Sequence, residues 1–458
     1  MTRSDYADKT VVVIGMARTG VATVEALKSL GANVIWCDSK PASELTDSLA
    51  DARRMGVEAR PGTDVPDYAG VDLVVTSPGV RATAAPLLEA QRKGVPVISE
   101  IELAYQLSPA PIIAVTGTNG KTTTTVLIGR MLQADGRDTY IAGNVAAGDL
   151  KLPLVAAAMQ ARADSAISAE ISTFQLEWIQ SFRPKVGLLL NIGRDHEDRQ
   201  TPEEYAALKA SLFRYQNQDD FAVLNADNSL VMTRTADVKS RKLLFSRLIE
   251  PGEGAFVRGD DLILRLNGTE RTICARGDIR IPGEHNVENV LAASLAASAF
   301  GACDEAISSA IREFNGVEHR MELVDEIDGV RYINNSMCTN VEAIVRSIEA
   351  MDRPVVVIAG GKDKGSDWSP FGEVVKHRVK RLVLIGASAP ILEEAVRGAG
   401  YGEIDNASSL QEAFELARSS AQVGDAVLLA PGCASFDMFK SFEERGDIFK
   451  RLVREARK

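Results

Sequence analysis

The chain has 458 residues, 45% apolar and 25% charged, the profile of a globular protein long enough for about three domains with separate cores. Lys and Arg number 52 against 63 Asp and Glu, and 52 − 63 = −11, so nucleic-acid binding by general phosphate attraction is excluded. No run approaches the roughly 20 apolar residues that span a bilayer, the start does not read as a secretory signal, and five scattered cysteines without CxxC spacing read as reduced thiols. A cytoplasmic monomer without membrane insertion is the expectation.

Residues 10–14 are β-branched and apolar, 20–30 have a helical pattern, and 33–37 and 72–76 read as strands, which together predict βαβ units and a parallel sheet. The first turn is Gly15-Met16-Ala17-Arg18-Thr19-Gly20, with Asp38 about twenty residues on. A GxAxxG turn is weak evidence for NAD, but its amides and the following helix N-terminus suit a diphosphate. Ser108-Pro109-Ala110-Pro111 reads as a linker closing a first domain at 1–109.

A second domain, 110–317, restarts with a strand at 112–115 and continues through strands at 166–171 and 186–191 to a small-residue helix at 287–300. Residues 260–280 read as a hairpin inserted on its surface. The third domain, 318–458, alternates again, with strands at 331–334, 355–359, 381–385 and 426–430. Three consecutive α/β domains with Gly-rich loops after strands place ligands at the strands' carboxyl ends.

The strongest chemical signal is Gly117-Thr118-Asn119-Gly120-Lys121-Thr122-Thr123, directly after the strand at 112–115. Its amides can face phosphate oxygens, Lys121 can neutralise the outer phosphates, and the Thr122 hydroxyl can ligate Mg²⁺. Two residues rather than four separate the first Gly from Gly-Lys, so this is not the usual P-loop spacing. Glu170 ends an apolar strand in Ala169-Glu170-Ile171-Ser172-Thr173-Phe174-Gln175-Leu176-Glu177, where a carboxylate requires a cation that a metal shared with Thr122 supplies. His196, one of four histidines, follows the strand at 186–191 inside Asp195-His196-Glu197-Asp198. Alone it reads as structural; its place beside an acidic cluster raises a functional role.

The GTNGKT, AEISTFQLE and RDHEDR stretches, in this order, resemble the ATP-dependent Mur ligase family of peptidoglycan precursor synthesis. The resemblance runs from Gly15 to Gly446. It implies a Rossmann-like UDP-binding domain, a central P-loop-type ATPase domain and a Rossmann-like C-terminal domain. It also implies that ATP and Mg²⁺, two ions, drive the joining of D-glutamate to UDP-N-acetylmuramoyl-L-alanine through an acyl phosphate. Carried onto this chain, the resemblance makes Lys121, Glu170, His196 and Lys209 catalytic, with Lys209 carbamylated and serving as a metal ligand beside Thr122, Glu170 and His196. By itself Lys209 reads as a solvated helix residue.

The same resemblance assigns ATP to Gly117, Thr118, Asn119, Gly120, Lys121, Thr122, Thr123, Asn286, Asn289, Arg320 and Asn335. Arg320 is expected to act like an arginine finger supplied by domain closure. The UDP-sugar falls to Arg18, Thr19, Asp38, Ser39, Lys40, Ser77, Pro78, Gly79 and Asn144, and the amino acid to His196, Thr339, Lys364, Ser435 and Phe442. For Phe442 a plain core face also fits, since Phe436, Phe439 and Phe442 recur every three residues.

One stretch departs from the family pattern Asn-Asp-Ser-Lys-Ala-Thr-Asn: here it reads Asn334-Asn335-Ser336-Met337-Cys338-Thr339-Asn340. The replacements remove one charge of each sign, and Met337 cannot steer an anion. A paralogue adding another amino acid, such as L-glutamate, and a non-catalytic nucleotide-binding regulator therefore stand as alternatives. A dehydrogenase reading of the first domain leaves GTNGKT, His196 and Arg320 without a purpose.

Overall fold

The computed structural model describes residues 3–145, 150–193, 200–363 and 365–457. Among them the apolar runs form three sheets. Runs such as Val11-Val12-Val13 have both faces covered, as strands of parallel sheets flanked by helices do.

The first sheet holds β1 (Thr10–Ile14), β2 (Asn33–Asp38), β3 (Glu58–Pro61), β4 (Leu73–Thr76) and β5 (Val97–Ser99), all parallel in the order β3-β2-β1-β4-β5. The chain leaves β1 first to one side and then to the other, so a crevice opens at the carboxyl end of β1.

The second sheet begins with β6 (Ile112–Thr116), β7 (Thr139–Gly143), β8 (Ala166–Glu170) and β9 (Val186–Leu189). It continues with β10 (Phe221–Asn225), β11 (Arg241–Ser246), β12 (Gly254–Arg258), β13 (Asp261–Leu266) and β14 (Thr269–Ala275). Their order is β14-β13-β12-β11-β10-β9-β6-β8-β7, which puts the switch point at β6, between β9 and β8. Residues 260–280 do contain the expected hairpin, β13 pairing antiparallel with β14, but it is no separate surface insertion: β13 also pairs antiparallel with β12, so the hairpin forms the edge of this sheet, with Leu262 and Leu264 buried.

These two sheets lie in one compact unit, which holds the described residues up to 276 and again 288–310. Leu103, Ala104 and Leu107 of the helix Glu100–Leu107 share a core with Ala157 and Ala158 of the helix Leu154–Gln160 and with Leu27 of the helix Arg18–Ser29. Ala110 is buried in the same core and Ser108 Oγ donates to its carbonyl at 2.8 Å, so the proline-containing segment is a fixed junction. Each leucine buried there contributes roughly 1.5–3 kcal/mol relative to exposure.

The second unit comprises 277–287 and the described residues from 311 onward. Its sheet holds β15 (Glu322–Ile327), β16 (Val330–Asn334), β17 (Val355–Gly360), β18 (Val379–Ile385), β19 (Ile404–Ala407) and β20 (Ala426–Leu429), ordered β15-β16-β20-β17-β18-β19. All pair in parallel except β15, an antiparallel edge.

Candidate functional site

The loop after β6 stands at the switch point of the second sheet, and its neighbours hold it from both sides. Thr118 N donates to the Asn191 carbonyl at 3.0 Å, Asn119 N to Asn191 Oδ1 at 2.8 Å, and Asn191 Nδ2 back to the Asn119 carbonyl at 3.2 Å. Gly120 takes φ 81° before the helix Lys121–Ala134, and a Cβ there would lie 2.2 Å from Asn289 Oδ1. Only glycine permits this turn with Asn289 so close.

Two ammonium groups meet on one oxygen of this loop. Lys121 Nζ donates to the Gly117 carbonyl and to the Thr118 carbonyl, each at 2.9 Å, and Lys209 Nζ donates to the same Gly117 carbonyl at 2.8 Å. Lys209, on the helix Pro202–Ala210, is 2% exposed, so the solvated-helix reading of this residue is overturned. Its charge stands 4.4 Å from the centre of the Tyr205 ring, and Tyr205 Oη donates to Thr118 Oγ1 at 3.2 Å. Positive charge is thus concentrated at the base of a loop whose amides sit at a helix N-terminus, a combination suited to a polyphosphate.

Glu170 closes β8 next door, 4% exposed. Its Oε2 accepts from Thr122 Oγ1 at 2.7 Å and its Oε1 from Asn144 Nδ2 at 3.4 Å. Among the described residues these side-chain partners are neutral, and a buried carboxylate is costly without a cation. Two hard oxygen donors in contact, one of them anionic, fit Mg²⁺.

In the first sheet, Arg18 and Thr19 open the helix Arg18–Ser29, and Ser77-Pro78-Gly79 follow β4. Asp38 Oδ2 accepts from Met16 N at 2.7 Å and Oδ1 from Lys40 N at 3.0 Å, so this carboxylate shapes the turn. The assigned loops with Ser39 and Lys40 therefore stand together at the carboxyl ends of β1, β2 and β4, whereas Asn144 follows β7 in the second sheet. A Cβ at Gly20 would lie 2.0 Å from the Gly15 carbonyl, which explains the second glycine of the turn.

In the second unit, the loops after β16, β17 and β20 adjoin because those strands are parallel neighbours, which groups Thr339 and Ser435 at the carboxyl ends of the strands. Phe442 opens the helix Phe442–Ala456 and its ring meets the edge of His319 at 6.1 Å. Phe436 is 70% exposed and precedes that helix, so the periodic core face does not exist. Asn335 is buried: Nδ2 donates to Ser347 Oγ at 2.7 Å and Oδ1 accepts from Met321 N at 3.2 Å. Ser347 Oγ spends its own proton on the Ala343 carbonyl at 2.5 Å, so residue 335 must donate, which Asn can do and an ionised Asp cannot.

Asn286 and Asn289 lie a turn apart in the helix Glu284–Ala299, both buried. Arg320 closes a tight turn with Val317, in which His319 has φ 61°. Burial and the neighbouring Lys450 push the His319 imidazole below its usual range. Burial also raises the thiols of Cys338, to about 12, and Cys433, to about 11, leaving them neutral at physiological pH. His196 and Lys364 lie outside the described residues.

Sequence reasoning missed Asn191, Tyr205 and Arg445. Asn191 carried a signal, a polar residue ending the run Leu188-Leu189-Leu190. Arg445 had none: it is fully buried, donates to Ser336 Oγ, Ser336 O and Cys433 O, and burial pushes it down to about 10.

Comparison with known proteins bears on all three sheets. Residues 9–99 match the family model described as Mur ligase MurD-like, N-terminal domain; 115–297 match the Mur ligase middle domain, and 319–433 the Mur ligase, glutamate ligase domain. The chain is 46% identical to the UDP-N-acetylmuramoylalanine--D-glutamate ligase of Pelotomaculum thermopropionicum, with 99% of each chain covered. It is 42% identical to the ligase of the same name from Koribacter versatilis, with 98% of each covered. In fold it resembles the UDP-N-acetylmuramate-alanine ligase of Thermotoga maritima, with TM-score 0.58, 17% identity and coverage of 98% and 99%. A pseudomurein peptide ligase type C from Methanothermus fervidus gives TM-score 0.56, 18% identity and coverage of 98% and 100%.

Proposed function

The chain belongs to the Mur ligase family, and from that premise we propose that it joins D-glutamate to UDP-N-acetylmuramoyl-L-alanine at the expense of ATP. The observation that carries this reading is the pairing of two crowded ammonium groups on the Gly117 carbonyl with a Glu170 carboxylate held against the neutral Thr122 hydroxyl. A magnesium-bound triphosphate answers both at once: its oxygens take the positive charge and its metal takes the negative.

A carboxylate oxygen of the L-alanyl group attacks the γ-phosphorus, the bond to the bridging oxygen breaks, and ADP leaves. The amine of glutamate then attacks the acyl carbon, phosphate departs, and the amine's surplus proton passes to solvent. Two anions must approach in the first step, so Lys121 and the loop amides stabilise charge on the transferring group. Thr122 and Glu170 would hold Mg²⁺, which lowers the charge on the phosphates when bound. A second ion would use His196 and Lys209 as a carbamate, an addition of CO₂ that replaces one of the two crowded ammonium groups by an anion.

Arg18, Thr19, Ser39, Lys40, Ser77, Pro78, Gly79 and Asn144 are read as the UDP-sugar contacts, with Asp38 holding their turn in place. Asn286, Asn289 and Arg320 are read as contacts to ATP. Thr339, Lys364, Ser435 and Phe442 are read as the glutamate contacts. The functional division is threefold: 1–109 for the UDP-sugar, 110–317 for ATP and 318–458 for the amino acid.

The test is incubation with ATP, Mg²⁺ and UDP-N-acetylmuramoyl-L-alanine, offering D- and L-glutamate separately. Amide product with the D isomer supports the reading. Product with the L isomer alone points to a paralogue, and no product with either contradicts the reading.

A further inference from the structure

Two buried acids of the helix Glu100–Leu107 grip the segment that follows β8. Glu102 Oε2 accepts from the backbone amides of Gln180, Ser181 and Phe182 at 2.9, 2.9 and 2.8 Å, and the Ser181 hydroxyl bonds its other oxygen. Glu100, 2% exposed, takes the nearer end: its Oε1 accepts from Gln175 Nε2 at 2.6 Å and its Oε2 from Ile101 N at 2.9 Å. Ser99 N adds a bond to the Trp178 carbonyl at 3.0 Å.

The polarity of the Glu100–Gln175 contact is forced. Gln175 Oε1 already accepts from Ser172 N at 2.7 Å and from Ser172 Oγ at 2.9 Å, so its Nε2 must face Glu100. Ser172 stands two residues past Glu170, and Ile171 N between them donates to the Val115 carbonyl at 2.8 Å, directly before the phosphate loop. A directional set of hydrogen bonds therefore runs from the helix Glu100–Leu107 through Gln175 to Ser172, two residues along the backbone from the carboxylate that meets Thr122. Such a set fixes orientation more than it adds stability.

We propose that Glu100 is a positioning residue for phosphoryl transfer, holding Glu170 in register with Thr122 through Gln175 and Ser172. The proposal rests on the reading of Glu170 as a magnesium ligand.

The network can be reversed without losing a bond. In the double variant Glu100→Gln with Gln175→Glu, residue 100 donates to residue 175, whose other oxygen still accepts both Ser172 donors, while the side-chain carbonyl at position 100 accepts Ile101 N. Glu100→Gln alone leaves one donor facing another, and Gln175→Glu alone sets two carboxylates together. The full-length chain and these three variants would be compared for kcat, for KM of ATP and UDP-sugar, and for the gain in ATP affinity on adding Mg²⁺, read by calorimetry.

Each single variant should lose about tenfold or more in kcat and in that gain, as outer partners of metal ligands do, and the swap should recover most of both. Should a single variant not fold, Glu100→Asp, which keeps the charge and shortens the reach, takes its place. A swap no better than the single variants, or a Glu100→Gln variant with an unaltered magnesium gain, overturns the proposal. A parent chain whose ATP affinity ignores Mg²⁺ overturns the Glu170 reading itself.

Discussion

Around Lys121 and Lys209, like charges crowd one carbonyl, while Glu170 beside them bonds neutral side-chain groups among the described residues. Around Arg445 in the second unit, an equally buried charge spends its guanidinium on Ser336 and on the Cys433 carbonyl, and Lys450 sits on Glu318, Glu322 and Asp447. The first arrangement is the one we read as a ligand site; the second is held by groups of its own chain. The two regions differ in their partners: a shared carbonyl and neutral side chains in the first, carbonyl oxygens and carboxylates in the second.

The sharpest way to break this contrast is Lys121→Ala, which should lower amide formation about a thousandfold or more while leaving the thermal midpoint within a few degrees. Activity within tenfold of the parent would contradict the phosphate role. Arg445→Met should do the reverse first, destabilising the second unit by about 3 kcal/mol because it strands the Ser336 and Cys433 oxygens. Unchanged urea unfolding would show that those oxygens find other partners.

Asn335→Asp, which restores the family's acid, should destabilise by about 1–2 kcal/mol, since the donor to Ser347 is lost. A more stable variant would refute the structural account of that replacement. The smallest effect concerns pH. Burial raises Glu100 from 4.5 to about 7, so the folded chain holds this proton more tightly than the unfolded one. Stability contributed by the protonated form is complete below pH 4.5 and fades as pH rises to about 7, and Glu100→Gln should flatten that slope in thermal midpoints. An identical slope in the variant would contradict it.

The same contrast explains what could be read from the sequence. β1 and β6 were legible because their β-branched runs are buried on both faces, and the GTNGKT loop because glycine spacing reports a backbone demand. β3 and β19 were not, since edge strands such as Glu58–Pro61 and Ile404–Ala407 mix polar and apolar residues. β5 is three residues long and carries too little pattern. In the site, Lys121, Thr122 and Glu170 were legible as chemistry. Lys209 was not legible from local pattern, because its burial comes from Tyr205 and a distant loop. Glu100 and Arg445 were hidden for the same reason: their partners Gln175 and Ser336 lie 75 and 109 residues away.

The most direct measurement of the central claim uses UDP-N-acetylmuramoyl-L-alanine carrying ¹⁸O in its carboxylate. If the loop around Lys121 delivers a phosphoryl group to that carboxylate, the inorganic phosphate released during amide formation carries one ¹⁸O. Amide formed with unlabelled phosphate would contradict it.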